Sequence, residues 1–195
     1  MSPKIQEATI REQRQMRQRQ LMDAALSLAM EGGVDSVTVS AVAKRAGLAR
    51  SSIYEYFASS ADLIADLVME EMSYYNKRLL KAVHNIEEPF TYISLWIEEA
   101  LAYVVDGRHI LIKSLNTVTT PNYRKSDIAQ GHRDLMGTII APLNTIGLTD
   151  VKLGLAYIQA TIDAASVRIE SGNDAALEIS YAQKYAIAGL RALVK

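Results

Sequence analysis

Between residues 37 and 57 the chain reads VTVSAVAKRAGLARSSIYEYF, and the side chains able to do chemistry gather at its end: Arg50, Ser51, Ser52, Tyr54 and Tyr56. They are one guanidinium, two short hydroxyls and two phenols. Nothing near them in sequence activates a nucleophile. The three histidines, His84, His109 and His132, are widely separated. No Glu-x-x-His pair of the di-iron helical type occurs. A phosphate loop and a Gly-x-Ser-x-Gly elbow are also missing. No catalysis, metal or cofactor is therefore expected. Hydrogen bonding to phosphates and base edges suits this set better. A merely solvated helix face usually carries Glu and Lys pairs, which form helices well.

Two short helices and a turn would position these groups. Thr38 can cap the first with its hydroxyl. Val39, Val42 and Ala43 recur at helical spacing and form its apolar face. Ala46-Gly47-Leu48 is the turn, with Gly47 suited to the positive φ that ends a helix. The second helix spans 50–57, with Ile53 and Phe57 inward. This is the form of a helix-turn-helix, whose second helix enters the major groove. Arg50, Ser51 and Ser52 then open the base-reading helix. Tyr54 and Tyr56 reach phosphate, as do Thr38 and Ser40 at the start of the preceding helix. A helical hairpin in an ordinary bundle is the competing reading.

The stretch closely resembles the DNA-binding signature of the TetR family of bacterial transcriptional regulators. The resemblance rests on Gly32-Gly33, Val37-Thr38-Val39, Val42-Ala43, Ala46-Gly47-Leu48, Ile53-Tyr54, Tyr56-Phe57 and Asp62-Leu63, and covers about residues 17–70. It implies a ligand pocket in the body and pairing through the last two helices. Family members commonly carry a lysine where this chain has Ser60. Here a neutral hydroxyl and the helix start must approach the phosphate instead.

Composition agrees with an all-helical chain. Hydrophobic residues make up 49% of the 195, with four prolines and no cysteine. There are thus no disulfides and no thiolate metal site. No apolar signal segment or membrane-length run is present, and a cytoplasmic protein is expected. Residues 1–57 hold eight Lys/Arg against six Asp/Glu, a net of +2, and the rest 13 against 16, a net of −3. A mildly basic head on an acidic body fits a nucleic-acid reader. Residues 1–16, with Arg11 and Arg14 ahead of Arg17 and Arg19, either extend the first helix or form a mobile arm toward DNA.

The first packed helix is expected over 17–31. After a capping box at Ser59 and Asp62, an unbroken helix over 60–83 can link head to body as a lever. Further helices are expected at 89–105, 108–118, 122–145 (kinked or shortened at Pro142), 150–170 and 175–194. On the helix over 150–170, Leu155, Ile158 and Ile162 step by three and four. The last helix is apolar almost all round, so it is buried on more than one face. Leu155, Ile158, Ile162, Tyr181, Tyr185 and Ala188 are expected at a subunit interface. For the implied pocket, Tyr92, Trp96, Tyr103, His109, Asn116, Met136 and Gln159 are candidates, which favours a hydrophobic or aromatic ligand.

The expectation is an all-α protein of about nine helices. A head over 1–60 carries the helix-turn-helix, and a body over 61–195 binds ligand and dimerises. Its partners would be a near-palindromic double-stranded operator, a small-molecule effector and a second copy, with no membrane. The expected function is a regulator, more a repressor than an activator. The alternative is a helical protein–protein adaptor that does not bind DNA.

Overall fold

The computed structural model describes residues 3–113 and 121–194. Among the described residues nine α-helical segments follow one another and no strand occurs. They are α1 (Pro3–Gly32), α2 (Val39–Ala46), α3 (Arg50–Ile53), α4 (Ser60–Ala82), α5 (Pro89–Val105), α6 (His109–Lys113), α7 (Lys125–Thr145), α8 (Val151–Glu170) and α9 (Ala175–Leu193). The chain divides into two compact units. One takes Met1–Glu70 and Ile110–Ser126, the other Glu71–His109 and Asp127–Lys195.

The first unit closes over an apolar core. Leu21, Ala25 and Ala29 of α1 meet Val39, Val42 and Ala43 of α2, with Ile53, Phe57, Leu63 and Leu67. Leu63 and Leu67 lie beyond residue 60, so the division falls within α4 and not at its start. Residues 110–126 belong to this unit as well. There, Tyr123 donates to Asp62 and Arg124 pairs with Asp66. The α1 helix begins at Pro3, so residues 3–16 extend the first helix and are not a separate arm.

The second unit is built on α5, α8 and α9. Ile93, Trp96, Ile97 and Leu101 pack with Leu79, Ile139, Leu143, Ile158, Ile162, Ala186 and Leu190. Asp150 and Asp174 cap α8 and α9 by accepting from the Leu153 and Leu177 amides. A Cβ on Gly154 would lie 2.5 Å from a Leu148 methyl, so a larger residue at the start of α8 would make that side chain shift. The α7 helix does not stop at Pro142 but continues to Thr145. Proline has no amide hydrogen to give the carbonyl four residues back, which is that of Thr138. The Tyr92 hydroxyl donates to that carbonyl at 2.9 Å. The vacant acceptor is satisfied from another helix, and the helix need not break.

Candidate nucleic-acid interface and body site

Thr38 caps α2 as its sequence suggests, its hydroxyl accepting from the Ala41 amide at 3.1 Å. Gly47 ends the helix at φ 67°, and the Leu48 amide returns to the Ala43 carbonyl at 2.9 Å. The second helix is shorter than expected: α3 is one turn, Arg50–Ile53, after which Tyr56 and Phe57 amides return to the Ile53 carbonyl. Buried Ile53 and Phe57 anchor the two ends of the segment. Arg50, Ser51 and Tyr54 stand exposed, Tyr54 at 49%, while Ser52 and Tyr56 are half-buried. Thr38 and Ser40 are exposed at the start of α2. Guanidinium, hydroxyls and phenols thus share one surface, held by an apolar floor.

Three polar contacts decide which neighbouring groups remain available. Arg45 is not a solvated charge. It makes two hydrogen bonds to the Glu31 carboxylate, at 2.8 and 2.6 Å, tying α2 to α1. That guanidinium, helped by the Ser27 hydroxyl, holds the Glu31 carboxyl well below the usual range, at about 2. Ser60 is also engaged. Its Oγ accepts from the Val39 amide at 3.3 Å, satisfying one of the free N–H groups at the start of α2. Arg14 donates to the Glu55 carbonyl at 3.3 Å, and its guanidinium lies 5.8 Å from the Tyr56 ring centroid. Sequence periodicity could not reveal these partners, which lie 14 to 41 residues apart.

In the second unit the expected pocket residues do not share one environment. Tyr92 and Trp96 both turn to Thr138: Tyr92 to its carbonyl, and the Trp96 Nε1–H to its hydroxyl at 2.8 Å. Tyr103 is buried and stacks on Tyr75, with ring centroids 4.2 Å apart. Its hydroxyl donates to Glu71 at 3.1 Å. Arg108 also binds Glu71, with its Nε 2.9 Å from the carboxylate. Burial, then the neighbouring Glu71 charge, pushes the Tyr103 phenol above its ordinary range. The phenol therefore stays a donor. Arg78 completes the cluster through Glu99 and Asp106. His109 contacts Glu170 at 2.5 Å. Met136 packs against the core. Gln159 is exposed and bonds Asp163 on its own helix, so it does not face the interior. Asn116 lies outside the described residues.

The expected interface residues separate in the same way. Ile158 and Ile162 are buried in the unit's own core, and Leu155 packs against it. The stripe stepping by three and four on α8 is therefore the inward face. The outward face carries Tyr157 beside the small residues Ala160, Thr161 and Ala164, whose period is less visible. With Tyr181, Tyr185 and Ala188 of α9 they line a groove of about 830 Å³. Tyr181 and Tyr185 are 57% and 75% exposed. The last helix buries one face on Ala182, Ala186 and Leu190 and leaves a second apolar face uncovered.

Residues 21–67 match the family model for bacterial regulatory proteins of the tetR family. Over 167 residues the chain is 28% identical to the fatty acid metabolism regulator protein of Bacillus subtilis, covering 77% of this chain and 82% of that one. Over 62 residues it is 36% identical to the HTH-type transcriptional repressor KstR of Rhodococcus jostii, covering 32% of this chain and 29% of that one. Among solved structures, the Bacillus subtilis transcriptional regulator FadR in complex with stearoyl-CoA superposes with a TM-score of 0.73 at 21% identity, over 88% of this chain and 98% of that one. FadR of Bacillus halodurans gives 0.71 at 18%, over the same shares.

Proposed function

We propose that this chain, which belongs to the TetR family of bacterial regulatory proteins, is a homodimeric transcriptional repressor released from its operator by an effector with a long acyl chain. The observation that carries the reading is the exposed surface of Arg50, Ser51 and Tyr54 fixed over buried Ile53 and Phe57. Arg50 is placed to bond guanine bidentately, worth about 1–3 kcal/mol against a wrong base. Ser51 and Ser52 read beside it, while Tyr54, Tyr56, Thr38 and Ser40 hold phosphate. Ser60 acts on DNA only indirectly, through the helix it caps.

A second copy covers the groove of Tyr157, Tyr181 and Tyr185, since apolar surface of this kind is favourable to bury. The dimer presents two recognition segments to an inverted repeat, about 34–36 Å apart. The acyl chain comes from the similar fatty acid regulator and the stearoyl-CoA complex. It suits the apolar interior around α5, α7 and α8, where Met136 is an adaptable filler. Release follows only if the effector binds the two states of the dimer unequally.

Selection from a random duplex pool tests the reading. The expected product is an inverted repeat bound in a salt-sensitive way and released by stearoyl-CoA. Recovery of no preferred sequence would leave the adaptor reading in its place. Sedimentation at micromolar concentration should give a dimer, and Tyr185→Glu should give a monomer.

A further inference from the structure

From Ile10 to Gln20 every side chain of α1 is exposed, and Leu21 after them is buried. A helix that buries nothing of its own lacks the packing that ordinarily stabilises helices in proteins. This stretch is also rich in arginine. Arg19 is committed to Asp23 and Glu70 at 3.7 and 3.2 Å. Among the described residues, no acidic group pairs with Arg11, Arg14 or Arg17. Arg14 reaches the DNA-reading segment through the Glu55 carbonyl and the Tyr56 ring. At about 3.6 residues per turn, Arg11 and Arg17 flank the Arg14 face on its two sides, each about 60° from it. The cationic strip therefore continues from Tyr56 along α1.

We infer that Arg11, Arg14 and Arg17 form a helical arm that grips duplex phosphates flanking the base-reading contacts, with Arg14 also fixing the Tyr56 ring. The inference rests on the regulator reading and adds a binding surface outside the helix-turn-helix. Exposed cations without an acidic partner match a phosphodiester backbone, and continuity with Tyr56 through Arg14 sets that backbone beside them.

The test is fluorescence anisotropy of wild type, R11A/R17A and R14A on the selected duplex and on a scrambled one, over a salt series. Each phosphate that the protein no longer neutralises lowers the slope of log affinity against log salt by about 0.9. R11A/R17A should lower it by about two on both duplexes, leaving their affinity ratio unchanged. R14A should lower it by about one and weaken both duplexes alike, because the Tyr56 that it frees is itself a phosphate contact. Circular dichroism melts should match wild type, since these side chains are exposed. Wild-type slopes in the variants would overturn the arm while the regulator reading stands. A wild-type protein with no preference for the selected duplex would overturn both. Arginine-dependent binding to anionic vesicles without any effect on DNA would assign the strip to a lipid surface and overturn the arm.

Discussion

The two units handle polarity in opposite ways. In the head the core is wholly apolar, and hydroxyls, phenols and guanidinium stand outside on it. In the body a carboxylate is taken inside: Glu71 is 2% exposed and held by Arg108 and Tyr103. In the head, Arg50, Ser51 and Tyr54 stand exposed to meet a partner, while Arg45, Ser60 and Arg14 are engaged within it. Body polar groups already have theirs, and removing one strands another. Stability should therefore depend on polar residues in the body and binding on them in the head.

The strongest way to break that contrast is Arg108→Ala. A buried carboxylate left without its cation costs about 3–5 kcal/mol, and urea denaturation should show the loss. E71Q/R108Q should recover part of it. An unchanged midpoint in the single variant would show Glu71 to be hydrated and the contrast false. Tyr92→Phe comes next. It strands the Thr138 carbonyl that Pro142 cannot serve, at about 1–3 kcal/mol, read as a lower Tm. Removing the proline as well, with P142A/Y92F, should restore an internal partner and much of that loss.

In the head, Thr38→Ala removes a cap worth about 1 kcal/mol and should lower DNA affinity beyond its small effect on melting. Equal effects on both would make Thr38 structural only. The smallest effect is expected from Glu31→Gln. The folded carboxyl is held at about 2, below its ordinary 4.5. Its contribution is present above the ordinary value and lost as pH falls toward 2. Acid titration of stability should be slightly flatter in the variant over that window. No change near neutral pH is expected on this account beyond the loss of the pairing itself.

Local pattern made most of the helices legible. Thr38, Gly47, Asp150 and Asp174 act where their side chains and backbones dictate. What stayed hidden depends on distant partners. Arg45 carries no local sign of its partner, because Glu31 lies 14 residues earlier. Trp96 and Tyr103 were both expected in one ligand pocket. Each instead has its own partner, Thr138 and Glu71. On α8 periodicity found an apolar stripe but could not say which way it turned. The large aliphatics took the core and left tyrosine and alanine outside. Pro142 was expected to kink or shorten its helix, because the hydroxyl that answers its missing bond is 46 residues away from Thr138.

The Ser60 hydroxyl on the Val39 amide also bears on building chimaeras. Residues 37–57 look like a cassette that could be grafted onto another regulator to transfer operator choice. In this protein the first amide of its α2 helix, that of Val39, is satisfied from outside the cassette, 21 residues on. A transplant ending at residue 57 would carry an open helix end into its host. One extended through Asp66 would bring the cap but lose Tyr123 and Arg124, which bind Asp62 and Asp66 from the far side of α6. Its reading surface can be changed in place, residue by residue, more safely than it can be moved.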